Sequence, residues 1–391
     1  MNENVTREVN LDILRQRAYN LRWATLPADV IPFTAADPDY PGPVPVAEAL
    51  ARYAADRYWS YAPAEGITSF RESMARFYNE QRSVPARAAH VIATDSAAYG
   101  IYVVCKATLQ RGDEAIIFDP VDFLFNYSIE QMGATAVRYA TPQTTDAMTF
   151  AGLEDLITPK TKLICLCNPL NPTGKVFSRQ ELTILGDIAV KYGLTILSDE
   201  IWSDIIFSPY SFTSIAALDE EIRKRTVIVT GFSKTYGLAG LRIGALTSFT
   251  DDMHRRLMEA SLHNSTIHGA NTAGQVAATA ALDECSDWVK SVLVHLTEMK
   301  DLCVTELNTM KGVSCLAPQG CYVAFANVTA TGRSSTEIAE LLMSKARVAV
   351  VPGRAEWFGP GAEGYIRLSF ATNGDILQEG LRRIKQTLDS L

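Results

Sequence analysis

Three apolar runs of the chain are each followed by a polar residue that could do chemistry. The pairs are residues 163–167 with Asn171, residues 194–198 with Asp199, and residues 227–230 with Lys234. Unbroken apolar runs are typical of strands that are buried on both faces of a parallel sheet. Ligands of open α/β sheets bind outside the carboxyl ends of the strands. If the three runs are neighbouring strands, an amide, a carboxylate and an amine therefore meet at one site.

An amine, a carboxylate and an amide that converge in this way suit pyridoxal phosphate (PLP). PLP needs a lysine for its Schiff base and an acid that keeps its pyridinium nitrogen protonated. We therefore predict Lys234 and Asp199 as the catalytic pair, with Asn171 donating to the phenolic oxygen of the ring. The simpler interpretations are a surface lysine, a strand-end cap and a turn residue.

The phosphate of PLP needs backbone N–H groups at a helix start, hydroxyl groups and a cation. A helical pattern begins at Ser96 and Ala97, and Ser233 and Arg242 flank the predicted lysine. We predict that these four residues bind the phosphate. Phe123 is predicted to stack on the face of the ring, although it could be an ordinary core residue.

The elements that would position these residues alternate between strands and helices. Runs of the β type are predicted at residues 91–93, 114–118, 136–139, 163–166, 194–198, 227–230 and 243–247. Helical patterns lie at residues 96–109, 123–132, 178–192 and 252–263. This alternation predicts an α/β fold, with a large domain built on a mostly parallel, seven-stranded sheet flanked by helices.

The pattern changes after about residue 285. Helices are predicted at residues 286–311, 335–346 and 374–391, with strands at 321–327, 347–351 and 364–370. This order is typical of a smaller α+β domain. We predict residues 46–284 as the large PLP-binding domain, and residues 1–45 together with 285–391 as the small domain.

Composition narrows the possible functions. The 391 residues carry a formal net charge of −8 without a basic run, which argues against a nucleic-acid or anionic-membrane partner. Neither a signal peptide nor a membrane-spanning segment is visible, so we expect a cytoplasmic protein. The seven cysteines and five histidines lack the spacing of a metal site, so we predict reduced thiols and no metal. Phosphate-loop, dinucleotide-binding and nucleophile-elbow motifs are absent.

Two longer motifs carry a resemblance to a known family. Residues 233–244 match S-K-x-x-x-x-x-G-x-R-x-G, and residues 168–174 read N-P-L-N-P-T-G. The chain is similar over nearly its whole length to the fold type I PLP-dependent aminotransferases of class I/II, the aspartate aminotransferase-like superfamily. The resemblance implies a homodimer with shared active sites, whose substrates are an amino acid and a 2-oxo acid.

The resemblance also implies roles for single residues. Tyr61 lies in the segment whose tyrosine reaches the phosphate of the neighbouring subunit. Arg367 corresponds to the arginine that grips the α-carboxylate of the substrate through two parallel bonds. Ala36 replaces a glycine that contacts this carboxylate through its backbone, and Asn171 is expected to touch the substrate as well.

Some residues depart from the family pattern or bear on the substrate. Trp202 stands where a tyrosine usually bonds the phenolic oxygen, and an indole can donate a hydrogen bond but cannot ionise. The pKa of the imine is therefore expected to differ. Ser96 replaces a usual glycine of the phosphate loop.

Tyr40, Trp202 and Phe123 suggest a partly aromatic pocket, and hence neutral or aromatic substrates.

The sequence leaves the reaction more open than the cofactor. Residues 233–244 and 364–370 favour an aminotransferase that acts through a Schiff base on Lys234. Residues 199–204, D-E-I-W-S-D, instead resemble the D-E-I-H-x-D segment of the cystathionine β-lyase-like C–S lyases, which release pyruvate and ammonia. We predict the aminotransferase, with the β-lyase as the alternative. A non-catalytic PLP-binding regulator is a remote third interpretation.

Overall fold

The computed structural model of the protein describes residues 8–144 and 147–391. Its strands are β1 (Ile31–Pro32), β2 (Val91–Thr94), β3 (Glu114–Asp119), β4 (Thr135–Ala140), β5 (Thr161–Cys167), β6 (Thr195–Asp199), β7 (Thr226–Gly231), β8 (Gly244–Thr247), β9 (Ser314–Cys315), β10 (Val323–Asn327), β11 (Val348–Ala349), β12 (Val351–Pro352) and β13 (Tyr365–Ser369). Its α-helices are α1 (Leu21–Thr25), α2 (Val44–Asp56), α3 (Thr68–Arg82), α4 (Ala97–Thr108), α5 (Phe123–Gln131), α6 (Arg179–Tyr192), α7 (Glu220–Arg225), α8 (Asp251–Ser261), α9 (Thr272–Glu284), α10 (Ser286–Leu307), α11 (Ser335–Leu341), α12 (Ala355–Phe358) and α13 (Gly374–Asp389). Shorter helical turns connect several of them.

The large sheet contains seven strands in the order β2-β8-β7-β6-β5-β3-β4 among the described residues. Neighbours from β4 to β7 are parallel, while β8 runs antiparallel to both β2 and β7. Strands β5 and β6 are buried along nearly their whole length, which explains their unbroken apolar sequence. The predicted α/β fold with a mostly parallel sheet is confirmed.

The ends of three adjacent central strands lie side by side. Cys167, the last residue of β5, pairs with Asp199, the last residue of β6, and Asp199 pairs with Val229 of β7. Because these strands are parallel, the chain leaves all three at the same edge of the sheet. The following loops bring Asn171 and Lys234 to that edge, beside Asp199.

A second, antiparallel sheet has the order β12-β13-β10-β9. The run 347–351, predicted as one strand, forms two short strands because its halves have different partners. β11 pairs in parallel with β1, and β12 pairs with β13. The N-terminal segment thus joins the C-terminal part of the chain. The boundaries of the two domains stay predictions, and residues 1–7 and 145–146 within them lie outside the described residues.

Sequence analysis missed the helices α2, α3 and α9. They share an apolar cluster that includes Val46, Phe70, Met74, Ala277 and Ala281. The buried face of α9 is largely alanine and glycine, so its hydrophobic periodicity is weak. Helix α9 therefore packs through small side chains, which a search for large apolar residues does not detect.

Two simpler expectations concern membranes and cysteines. No helix within residues 8–144 and 147–391 is long and apolar enough to cross a membrane. All seven cysteines are buried free thiols, as predicted. The cytoplasmic location stays a prediction.

A buried ion pair fixes the path of the N-terminal segment. Nη2 of Arg22 lies 2.6 Å from Oδ1 of Asp39, and the indole Nε1 of Trp23 donates to the same oxygen at 2.7 Å. Arg22 also donates to the carbonyl oxygens of Pro32 and Asp37. The network ties the first short helix to the loop that follows β1.

The variant Asp39→Ala is expected to lower the free energy of unfolding by about 3–5 kcal/mol, because Arg22 then keeps a buried charge without its anion. Asp29→Ala is the matched control, since the Asp29–Arg347 pair also ties down this segment but is exposed to solvent. Its loss is expected to lower the free energy of unfolding far less, because exposed ion pairs contribute little to stability. Urea unfolding of both variants measures the difference, and equal losses would contradict the role of burial.

Candidate active site

A cavity of about 340 Å³ lies at the carboxyl edge of the large sheet. The sequence-predicted residues that line it are Ala36, Ser96, Ala97, Asn171, Asp199, Trp202, Ser233, Lys234, Arg242 and Arg367. Asp122, which sequence analysis did not single out, lies there too. The fold thus brings both ends of the chain to one site.

Lys234 follows the end of β7, and its side chain reaches the N-terminal segment. Its Nζ donates to the carbonyl oxygen of Ala36 at 2.6 Å and lies 5.3 Å from the centre of the Trp202 ring. Burial lowers the pKa of this amine and Arg367 lowers it further, while Asp37 opposes the shift. A lowered pKa increases the fraction of neutral amine, which is the nucleophilic form.

Asp199 ends β6 with its carboxyl group buried beside the cavity. Its Oδ1 accepts a hydrogen bond from the backbone N–H of Ile201 at 3.2 Å. Burial raises the pKa of Asp199 to about 7, to which the nearby Asp122 contributes, and Lys234 opposes the shift. A cation placed beside Asp199 would favour its ionised form.

The next residue, Glu200, is an acid of similar burial that does not line the cavity. Its Oε1 accepts hydrogen bonds from the hydroxyl groups of Ser198 and Ser214, at 3.1 and 2.6 Å. Burial raises the pKa of Glu200 to about 7 as well. Glu200 therefore shares the burial and the raised pKa of Asp199 but lies outside the cavity, so its substitution can serve as a control for that of Asp199.

Asn171 links Arg367 to Asp122. Nη1 of Arg367 donates to Oδ1 of Asn171 at 3.1 Å, and Nδ2 of Asn171 donates to Oδ2 of Asp122 at 3.0 Å. This arrangement fixes the amide and leaves its second N–H for another acceptor. Arg367 also donates from Nη2 to the carbonyl of Thr34 at 3.0 Å, and it lies over the ring of Phe358. Its buried Nε has no partner among the described residues.

The start of α4 forms the part of the cavity predicted to bind phosphate. Ser96 caps the helix by accepting a backbone N–H of the first turn at 3.1 Å, and its φ of −176° is extended backbone that any residue adopts. The serine is therefore accommodated in place of the usual glycine. A Cβ on Gly244 would lie 2.8 Å from the backbone nitrogen of Ala97, so this glycine lets β8 approach the helix start. Ser233 and Arg242 line the same cavity.

Trp202 lines the cavity, and a residue that the sequence does not point to packs behind it. Its ring packs edge-on against Tyr322, with centroids 4.7 Å apart. The hydroxyl group of Tyr322 donates to the carbonyl of Ala36 at 3.1 Å. The Ala36 carbonyl thus accepts from both Tyr322 and Lys234, which ties the N-terminal segment to the site. Nothing in the sequence around Tyr322 distinguishes it from core.

Three predicted aromatic residues lie outside the cavity. Phe123, the first residue of α5, turns toward Trp357 in an adjacent pocket, while the preceding Asp122 faces the cavity. Tyr61 is exposed. Tyr40 is buried in the core, so its predicted place in the pocket is wrong. The stacking of Phe123 and the intersubunit role of Tyr61 stay predictions.

The residues that line the cavity fit PLP. They supply an amine of lowered pKa, a buried carboxylate that a cation would stabilise, and helix N–H groups beside two hydroxyls and an arginine. PLP carries an aldehyde, a ring nitrogen that binds a proton, and a phosphate, which complement these three sets. Lys234, Asp199 and the start of α4 would hold these groups, and the free N–H of Asn171 could reach the phenolic oxygen.

The variant Asp199→Asn is expected to weaken PLP binding by about tenfold or more and to lower kcat/KM by about 100-fold or more, because a neutral amide cannot stabilise a ring cation. Glu200→Gln is the matched control, and it is expected to leave PLP affinity within about threefold, a change worth under about 1 kcal/mol. Visible absorbance titration measures the affinity. Equal losses in the two variants would contradict the assignment of Asp199.

The stability of the cofactor-free protein is expected to fall as the pH rises from about 4 to about 7. Over this range the folded protein retains protons on Asp199 and Glu200 that the unfolded chain has released. Asp199→Asn is expected to make the fall shallower, because asparagine has no such proton. Thermal melting across this pH range measures the slope, and an unchanged slope would refute the raised pKa.

Known proteins share this architecture. The family described as aminotransferase class I and II matches residues 28–384. The chain is 30% identical over 365 residues to an aspartate aminotransferase of Pyrococcus horikoshii, covering 92% of this chain and 91% of that one. A crystal structure of an aromatic aminotransferase from Pyrococcus horikoshii OT3 matches with a TM-score of 0.87 and 28% identity, covering 94% and 98% of the two chains.

A second solved structure shares the fold as well. Cystalysin from Treponema denticola, whose crystal structure contains PLP, matches with a TM-score of 0.90, covering 98% of this chain and 99% of that one. At 21% identity this likeness concerns the fold alone. The family match and the site geometry agree: the chain belongs to the aminotransferase class I and II family, and it is a PLP-dependent aminotransferase.

Proposed function

We propose that the protein transfers the amino group of a neutral or aromatic L-amino acid to a 2-oxo acid. The observation that carries this proposal is an apolar pocket of about 430 Å³ beside Arg367. Its apolar walls include Leu21, Leu26, Phe123, Val350, Trp357 and Phe358. A substrate whose α-carboxylate pairs with Arg367 would place its side chain between these walls. Burial of apolar side-chain surface then supplies the binding energy.

The residues of the cavity have distinct roles in this reaction. Arg367 binds the α-carboxylate and thereby orients the Cα–H bond. When bound, PLP supplies the electron sink for the charge that develops at Cα. Lys234 takes and returns the Cα proton through Nζ, whose lowered pKa keeps part of it neutral. Asp199 holds the proton on the ring nitrogen, and the carbonyl of Ala36 orients Nζ of Lys234.

The side chains of the pocket also favour one of two substrate classes for which similar proteins are named. One relative is named for aspartate, and a similar solved structure is named for aromatic substrates. An aspartate side chain needs a cation in the pocket that receives it, because a buried unpaired carboxylate is costly. The aromatic rings of Phe123, Trp357 and Phe358 favour an apolar side chain instead.

We also propose a cytoplasmic homodimer with shared active sites. Tyr58, Trp59 and Tyr61 lie close together in sequence and are 68–87% exposed, which a monomer rarely tolerates for three aromatic rings. Burial of these rings against a second copy would bring Tyr61 toward that copy's phosphate site. Light scattering on the purified protein tests the assembly.

Incubation of the PLP-loaded enzyme with phenylalanine, without an oxo acid, is the direct test of transamination. The visible absorbance of the cofactor is expected to disappear and to return when a 2-oxo acid is added, because the cofactor carries the amino group between the two substrates. Release of pyruvate from cystathionine, with the absorbance recovering unaided, would make the protein a β-lyase.

The variant Trp357→Ala is expected to lower kcat/KM for phenylalanine by about tenfold or more, because the substrate ring loses a wall of its pocket. The loss for alanine is expected to stay below about threefold, because a methyl group buries little surface there. Steady-state kinetics with both substrates measures the two losses. Equal losses would show that the pocket does not receive the substrate side chain.

A further inference from the structure

Asp122 is an acid that the mechanism above does not use. It caps α5, with Oδ1 accepting the backbone N–H of Leu124 at 3.2 Å. Its Oδ2 accepts from Nδ2 of Asn171 at 3.0 Å. Both hydrogen bonds hold the carboxylate in one orientation. The side chain is half-buried and is therefore reachable from the cavity.

The position of Asp122 is at the junction between the cofactor cavity and the apolar pocket. Three residues line both spaces, namely Ala35, Asp122 and Arg367. A substrate with its α-carboxylate on Arg367 and its Cα near Lys234 must pass its side chain through this junction to reach the pocket. Whatever charge that side chain carries therefore meets the carboxylate of Asp122.

None of the described residues supplies a free cation for a second carboxylate at this junction. Among the described residues that line the two spaces, the cationic side chains are Arg22, Lys234, Arg242 and Arg367. Arg22 is already paired with Asp39 and two carbonyl groups. Arg367 takes the α-carboxylate, while Lys234 and Arg242 serve the cofactor. A dicarboxylic substrate would thus bring an unpaired anion toward Asp122.

We propose that Asp122 is a specificity-determining residue that rejects dicarboxylic substrates in both halves of the reaction. This inference rests on the proposed function and narrows its substrate class to monocarboxylic compounds. Donor and acceptor occupy the same site in turn, so the same charge acts on both. The amino acceptor is therefore a monocarboxylic 2-oxo acid such as pyruvate or phenylpyruvate, rather than 2-oxoglutarate. Like charges brought together in a water-poor site repel strongly.

The test compares Asp122→Asn with the wild-type enzyme on paired substrates. Wild-type kcat/KM is expected to be at least about tenfold higher for phenylpyruvate than for 2-oxoglutarate, and the variant is expected to narrow that ratio by about tenfold or more. Asparagine keeps the cap of α5 and is nearly isosteric. If the substitution disturbs Asn171, it affects phenylpyruvate and 2-oxoglutarate alike. The ratio of the two kcat/KM values therefore reports the effect of the charge alone.

Asp119→Asn is the matched control for this comparison. Asp119 lies three residues earlier, at the end of β3, where it accepts the backbone N–H of Gly361 at 3.1 Å and lines neither space. The Asp119→Asn substitution also removes a negative charge near the site. It is nevertheless expected to leave the ratio of kcat/KM for phenylpyruvate to kcat/KM for 2-oxoglutarate unchanged. An equal change of the ratio in both variants would overturn the assignment of Asp122.

Binding of unreactive acids gives a readout that does not depend on turnover. Calorimetry on the PLP-loaded enzyme is expected to show hydrocinnamate binding at least about tenfold more tightly than glutarate, with the gap closing in Asp122→Asn. Equal affinities in the wild type, or efficient use of 2-oxoglutarate, would overturn this inference and leave the transamination of neutral amino acids standing. Failure to transaminate any amino acid would instead overturn the proposed function.

Discussion

Burial of Asp199 and Lys234 in one cavity is the constraint on which the active site depends. Desolvation disfavours the charged form of both groups, raising the pKa of the carboxyl group to about 7 and lowering that of the amine. The amine gains nucleophilic character from this, whereas the carboxyl group needs a cation. The protonated ring nitrogen of PLP would supply that cation. In the proposed reaction, the same burial thus prepares Lys234 to react and Asp199 to hold the cofactor.

Arg367 joins the parts of the fold that must stay aligned for this chemistry. It lies on β13 of the small sheet, it donates to Asn171 beyond β5 of the large sheet, and it donates to Thr34 of the N-terminal segment. The group that is proposed to bind the substrate carboxylate is thereby fixed relative to the lysine. Asp122 extends the chain of hydrogen bonds to the start of α5. The residues that we propose to position the substrate and to discriminate among substrates therefore belong to one hydrogen-bond network.

The N-terminal segment completes the site because a buried ion pair and hydrogen bonds to distant residues hold it in place. Arg22 and Asp39 neutralise each other in the core, so Arg22 lines the apolar pocket without offering a free charge. Trp23 supports the same carboxylate. The carbonyl of Ala36 is then held where Lys234 and Tyr322 both donate to it. A buried ion pair away from the chemistry thus shapes both the pocket and the cavity.

The amino-acid sequence is enough to predict the cofactor and the large sheet. Unbroken apolar runs predict buried parallel strands, and polar residues at their ends must meet at one edge, which is why Asn171, Asp199 and Lys234 were predictable. For residues away from the strand ends, only the folded structure shows which side chains face the cavity. Asp122 and Phe123 are neighbours, and only the angle at which α5 begins sends the carboxylate inward and the ring into the apolar pocket. Tyr322 likewise reads as core, because its role depends on contact with a segment far away in the chain.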